Sequence, residues 1–468
     1  MEELPNEMSS GVAGNGVSKA RQLAGLALVV TGALLFVLWG FSLEGRSPNG
    51  SCDFEPVYYH ARFLIQHQDP YIEEHARYVQ LKAGGYLRWN TPTPASEISI
   101  PCVYPPTALL LAAPLALLKW RSADFIWMAL LAASIVLAAF LMWCAAAKDA
   151  PLLAGFLIAF TLINSFTLLF EANAAGLAVG LSIIAFSLFL RRRFEAVGVC
   201  CLAISLCLKP HDAGFVWLFL LLSGGILRTR ALQTLLVVAV ISLPAILWVN
   251  HVAPDWRQEM STNIATISLP GGVNDPGPTS FTNQITTSAI NLQTLFAVFL
   301  NKPAFYNSAT YIFALLVLLF FVRAAVRNRN LGTYGWLGIA AISAFAMLPV
   351  YHRHHDARLL LLAVPGCAVL WAKGRLQGRI ASLLALLAIA ATGDIPRAIL
   401  EHLEEGHIFS NANFSGKLQM AVFTRPAPLA LVMMTVFFLW QYSRTTSLST
   451  QPVISRELQK EREGLPGE

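Results

Sequence analysis

The sequence predicts an all-α polytopic membrane protein with about twelve transmembrane helices. Composition is the first reason. Hydrophobic residues make up 56% of the 468 and charged residues only 13%, where a soluble domain carries roughly 25% charged residues. Mean hydropathy is +0.57. The second reason is spacing: the apolar residues fall in runs of about 14 to 24, near the length that crosses roughly 30 Å of hydrocarbon at about 1.5 Å per residue. The third is charge. The net +6 in such a chain belongs to cytoplasmic loops, which makes the lipid bilayer the partner and argues against nucleic acid.

The apolar runs place spans at 24–43, 124–147, 151–170, 173–190, 195–208, 213–226, 231–250, 309–326, 333–350, 357–372, 378–392 and 426–441. The first follows Lys19 and Arg21. Its length, and the lack of an A-x-A-like site after it, suit an uncleaved signal anchor. Two more apolar stretches, Ala108–Leu118 and Leu292–Leu300, have the length of re-entrant or interfacial helices. With the N-terminus inside and both short stretches re-entrant, the inner face receives Lys148, Arg191 to Arg193, Arg228, Arg230, Arg323, Arg327, Arg329, Lys373, Arg375, Arg379 and Arg444. Lys119 and Arg121 are the exceptions. If Ala108–Leu118 spanned, Arg191 to Arg193 and several later clusters would fall on the wrong side, so charge favours re-entry. The organisation is then a cytoplasmic tail at 1–23, a transmembrane domain at 24–443 with a long outer loop at 44–123, and a cytoplasmic tail at 444–468. A bacterial inner (cell) membrane suits the short loops.

The outer face collects the polar segments that carry chemistry. Asp53 follows the first span by about ten residues and can act as a general base on a hydroxyl; a helix N-cap or a solvated loop residue is its bland alternative. Tyr58 and Tyr59 follow it. Tyr104-Pro105-Pro106 fixes an extended entry into the first short stretch, because proline lacks a donor and restrains the residue before it. Lys209-Pro210-His211-Asp212 sets ionisable groups between two apolar runs, where they face a cavity or partner; an interfacial turn is the alternative. Tyr351 to Asp356 packs three histidines, Arg353 and an aspartate against a membrane boundary. The adjacency of His354 and His355 is poor zinc spacing; Arg353 with histidines suits an anionic phosphate, and interfacial snorkelling is the alternative. Asn173 and Asn283-Gln284 lie at outer ends of apolar segments, where caps and turns are common. Five of the seven cysteines lie in apolar runs as packed side chains. Cys52 and Cys102 bracket the outer loop, and an extracytoplasmic location would permit a disulfide between them.

In order along the chain, these motifs resemble glycosyltransferase family 87, within the wider GT-C class of membrane glycosyltransferases. The resemblance rests on Asp53-Phe54 with Tyr58-Tyr59, Asp69-Pro70-Tyr71, Tyr104-Pro105-Pro106 with Pro114-Leu115, Lys209-Pro210, Asn283-Gln284 and the cluster His352 to Asp356. It spans roughly residues 24–440. It implies a GT-C-type fold and transfer of a hexose, often mannose, from a polyprenyl-phosphate donor to an acceptor on the outer face. Asp53 takes the role of base. The chain departs from the family at Phe170-Glu171-Ala172-Asn173, where Gly-Gln-x-Asn is common, so only Asn173 carries over.

The reaction expected from the sequence is an inverting, metal-independent displacement with no cofactor. Asp53 deprotonates the hydroxyl of a glycan or glycolipid acceptor. Tyr58, Tyr59, Tyr104, Asn173, Lys209, His211, Asn283, Gln284, His352 and Arg353 hold the substrates, with the cations on the donor phosphate. A transporter or flippase for a lipid-linked glycan or small solute is the main rival. Transporters place ionisable groups near the bilayer midplane, whereas here they lie mostly at span ends and in outer loops.

Overall fold

A computed structural model describes residues 18–45, 51–75, 78, 101–270, 272, 274–277, 289–328, 335–395 and 413–444. These residues are helical, apart from turns and one isolated antiparallel bridge between Ala289 and Arg353. The helices are α1 (Lys19–Glu44), α2 (Phe54–Ile65), α3 (Pro106–Ala116), α4 (Trp120–Ala146), α5 (Pro151–Ile163), α6 (Phe166–Phe170), α7 (Ala175–Leu190), α8 (Glu195–Leu208), α9 (Pro210–Ser223), α10 (Gly225–Val252), α11 (Trp256–Ile267), α12 (Leu292–Phe299), α13 (Pro303–Arg327) and α14 (Gly335–Ala346). A 3₁₀ helix (His354–Ala363) follows and runs directly into α15 (Val364–Ala372), before α16 (Leu376–Ala391), α17 (Phe414–Thr424) and α18 (Pro426–Arg444).

Six of these segments are long and apolar enough to cross a membrane: α1, α4, α10, α13, the continuous stretch His354–Ala372, and α18. The other runs expected to span form helices of 12 to 16 residues, or, at 151–170, two shorter pieces. The two stretches read as re-entrant are α3 and α12. With 11 and 8 residues they reach only about 16 and 12 Å, too little to cross.

Small residues set the closest helix pair. α1 lies against α5 through Gly25, Gly32, Gly155 and Ala159. A Cβ on Gly155 would sit 2.4 Å from the Gly25 carbonyl oxygen, and one on Gly32 would sit 2.7 Å from Ala159 Cα. In lipid such approach is what holds helices together, since side chains gain nothing by leaving an equally apolar solvent.

The run read as one span at 151–170 is two helices. The chain breaks at Asn164-Ser165, and the freed backbone groups are satisfied from a distance. Asn164 Nδ2 donates to the Ile389 carbonyl (3.2 Å), and Asn164 Oδ1 accepts from Ile395 N (2.8 Å). The buried Arg358 guanidinium donates to the carbonyls of Asn164 (3.2 Å), His354 (2.9 Å) and Thr392 (3.1 Å). Thr167 donates to Asp394 from both its backbone N (2.9 Å) and its Oγ1 (2.5 Å). The broken ends of α5, α6 and α16 thus meet the 3₁₀ helix deep in the bundle.

That 3₁₀ helix has ten residues, all buried, where runs longer than three or four are uncommon. Its start is fixed by a reciprocal cap: Arg353 N donates to Asp356 Oδ2 (2.8 Å), and Asp356 N donates to the Arg353 carbonyl (3.0 Å). The segment before α12 clamps it from the other side, with Ile290 N on the His352 carbonyl and Leu292 N on the Leu348 carbonyl, both 3.0 Å. His354, His355 and Asp356 are at most 2% exposed. They sit inside the bundle and do not snorkel at an interface.

Candidate functional site

Asp53 is positioned by a short splice of two turns. Ser51 N donates to the Phe170 carbonyl (2.8 Å), and Asp53 N donates to the Glu171 carbonyl (2.9 Å). The other side of the splice is fixed by Trp127 Nε1 on the Ala172 carbonyl (2.9 Å). Ala172 itself takes a positive φ of 52° to make the turn. Asp53 precedes α2 but its side chain makes no capping hydrogen bond. Its Oδ2 instead accepts from Asn173 Nδ2 at 2.5 Å, while Asn173 Oδ1 caps Ala175 N (2.8 Å). Asp53 thus stands at the N-cap position of α2 without capping the helix through its side chain.

Three further groups complete this end. Glu171 Oε2 lies 2.7 Å from Nε2 of the fully buried His355. Tyr104 Oη donates to the Asp53 carbonyl (3.3 Å), and Tyr71 Oη holds the Tyr104 carbonyl (3.0 Å). Burial pushes the Asp53 carboxyl above the usual carboxylate range; the neighbouring Glu171 charge pushes the same way, against His355, Arg353 and the Asn173 hydrogen bond. Burial likewise raises the Tyr104 phenol.

The second half is cationic. Lys209 caps the C-terminus of α8 and the N-terminus of α9. Its Nζ donates to Asp356 Oδ1 at 2.7 Å and lies 3.6 Å from Asp212 Oδ2. His352 Nε2 is 3.3 Å from Asp212 Oδ1, and its ring meets His211 edge-on at 4.9 Å between centroids. Burial alone would lower the His352 imidazole. Its contact with Asp212 and the charges of Asp356 and Asp212 outweigh burial and hold it above its ordinary value. Arg353 Nε donates to Tyr351 Oη, and its charge reaches Asp53, Cys52 and Tyr104. Asp212, fully buried, is enclosed by Lys209, His211 and His352.

The structure thus brings Asp53, Tyr104, Asn173, Lys209, His211, His352 and Arg353 to one end of the bundle. Tyr58 and Tyr59 do not join them. Tyr58 Oη donates to the Leu118 carbonyl (2.7 Å) and accepts from Arg62 (2.8 Å). Both rings pack with Trp120, the Tyr59 ring stacked at 6.2 Å. They lie on α2 and form an aromatic cluster with Phe54 and Trp120. Asn283 and Gln284 lie outside the described residues. The Cys52–Cys102 disulfide is not formed: both thiols are free and buried. Cys102 packs with Leu64, Tyr71, Leu109, Val249 and Trp256, while Cys52 faces Asp53 and Glu171.

Sequence reasoning discounted Glu171 and left Asp212, His355 and Asp356 out of the binding set. The overlooked signal was their position: each lies within three residues of a residue that was chosen. Three groups could chelate a cation, with ligand atoms within 4.8 Å of one another: His211, Asp212, His352 and Asp356; Glu171, His354 and His355; and Cys52, Asp53 and Glu171. In the first group the Lys209 ammonium already supplies the counter-charge to both carboxylates. Comparison with known protein families, curated proteins and solved structures gives no match for this chain.

Proposed function

We propose that this protein transfers a hexose, with mannose the leading choice, from a polyprenyl-phosphate donor to a glycan or glycolipid hydroxyl at the extracytoplasmic face of a cell membrane, as the resemblance to glycosyltransferase family 87 implies. The observation that carries this reading is a partly buried carboxylate, Asp53, within reach of the Arg353 charge and at the same end of an apolar helical bundle as the Lys209–His352 cluster. Asp53 accepts the proton of the acceptor hydroxyl as its oxygen attacks the anomeric carbon. The bond to the donor phosphate breaks on the opposite face, which inverts the centre. Lys209, His352 and Arg353 stabilise the departing phosphate by charge, and the neutral His211 can offer it a hydrogen bond. Asn173 aims the carboxylate, and Tyr104 fixes the loop that carries it. A single phosphate needs no metal to bridge two, so the charges of Lys209, His352 and Arg353 serve in place of a divalent ion; His211, expected from the sequence as a cation, is neutral, because burial lowers its imidazole to about 4. The termini in this reading are cytoplasmic.

Membranes containing the protein should be supplied in parallel with radiolabelled mannosyl polyprenyl-phosphate, a polyprenyl-diphosphate sugar and a nucleotide sugar. The expected result is labelled glycan from the monophosphate donor alone. Transfer from the diphosphate lipid would indicate a glycan polymerase or ligase. Movement of intact labelled lipid between leaflets with no glycosidic bond formed would indicate a flippase.

A further inference from the structure

A concave site lies at the other ends of α4 and α7 from the Asp53 splice. α4 meets the Asp53 splice at Trp127, which binds Ala172, and from there to its end at Ala146 it carries the chain roughly 28 Å away. α7 starts at Ala175, next to Asn173, and runs in the same sense to Leu190. Between their far ends, and against residues Ile226, Leu227, Gly335 and Trp336, is a cavity of about 830 Å³, within the ~300–1,000 Å³ usual for small-molecule sites. Its floor is apolar and buried: Phe186 and Phe189 are 1% exposed and Leu227 is 7% exposed. Its rim is Lys148, Arg191 and Arg192, all exposed.

Among the described residues, the rim cations are not neutralised by a carboxylate, unlike Arg230 nearby. Arg230 pairs with Glu195, and Arg228 donates to the Leu221 carbonyl (3.0 Å). Arg191 reaches only the Leu141 carbonyl, at 3.4 Å. Lys148 and Arg192 have no carboxylate within ion-pair distance among the described residues, although Asp149 adjoins Lys148 in the chain. A cationic rim over an apolar floor, at the end of membrane-length helices, matches an amphiphile with an anionic head.

We propose that this cavity binds an anionic phospholipid, with its phosphodiester headgroup on Lys148 and Arg192 and the upper part of its acyl chains against Phe186, Phe189 and Leu227. The site is separate from the Asp53 cluster, and the proposal stands whether or not the chain transfers sugars. The cavity is far larger than a phosphate ion, and its apolar floor would gain nothing from one.

The full-length protein, purified in mild detergent, is examined by native mass spectrometry with phosphatidylglycerol, phosphatidylcholine or inorganic phosphate. Phosphatidylglycerol should be retained about thirtyfold more strongly than phosphatidylcholine, and the double variant Lys148→Gln/Arg192→Gln should lose most of that preference. The Arg193→Gln variant, outside the cavity, should keep it. Equal retention of the two lipids, or equal loss in the Arg193→Gln control, overturns the proposal. So does competition by inorganic phosphate alone at matched concentration, which would assign a free-anion site. If the double variant fails to fold, photoactivatable phosphatidylglycerol on the unaltered protein decides: labelling should fall on the peptides containing 141–148 and 186–192, and labelling elsewhere contradicts it.

Discussion

Helix α10 and the segment His354–Ala372 are both apolar enough to cross a membrane, yet they live in different solvents. Only 17% of the most apolar window of α10 is buried within the protein, against 89% for 354–372. α10 turns Leu236, Val240, Leu243 and Leu247 outward, each at least 60% exposed, the apolar face that a membrane-crossing helix offers to lipid. The 354–372 segment has protein on all sides and carries His354, His355, Asp356 and Arg358 inside it. Charge is tolerated there because each group meets a partner built from another part of the chain. A hydropathic run therefore says where a helix can be. What surrounds it decides whether it is an outer stave or the wall of a site.

The largest effect that could break this comparison is removal of Lys209. Lys209→Met leaves Asp356 and Asp212 buried without their ammonium, and loss of one partner of a buried pair costs about 3–5 kcal/mol. Thermal unfolding in detergent should show that loss, and Lys209→Met/Asp356→Asn should recover part of it. An unchanged Tm would mean the cluster is not held by its ion pairs. Next in size is Gly155→Leu, whose side chain must enter the Gly25 backbone; overpacking of this kind costs about 1–3 kcal/mol. The mirror experiment is Leu243→Ala on the lipid face of α10, where a change within about 0.5 kcal/mol is expected. A smaller and more specific effect concerns pH. Asp53 must be ionised to act as base, and the Glu171 charge helps to hold its proton on. Activity should therefore fall as pH drops through the Asp53 titration, and Glu171→Gln should move that acid limb to lower pH. A limb that stays in place or moves up would show that Glu171 does not act on Asp53. The smallest expected effect is of chelation: dialysis against EDTA should leave transfer unchanged, and a loss restored by one divalent ion would direct attention to His211, Asp212, His352 and Asp356.

The helices were legible because apolar runs of membrane length have few alternatives. Every run read as a span contains a helix, and α3 and α12 are as short as their sequences implied. The break at Asn164-Ser165 was not legible. It is paid for by Arg358, Ile389 and Ile395, some two hundred residues away, and local sequence carries no trace of them. Asp53, Asn173, Lys209 and Arg353 could be gathered onto one face from the order of charged loops. Glu171 could not, because it departs from the pattern that the resemblance supplied, and its meaning depends on His355 arriving beside it. The tyrosine pair was not legible for the opposite reason: Tyr58 and Tyr59 look polar in the sequence, but their rings pack on Trp120 and the Tyr58 hydroxyl bonds Leu118 and Arg62, away from the Asp53 cluster.

The most direct measurement is transfer by Asp53→Asn, made alongside binding of the donor to the same preparation. The substitution keeps the shape that Asn173 holds and removes only the basic charge. Transfer should fall by about 10²–10⁴, the usual contribution of a positioned base, while donor binding persists. Transfer at the rate of the unaltered protein would contradict the assignment of Asp53 as the base.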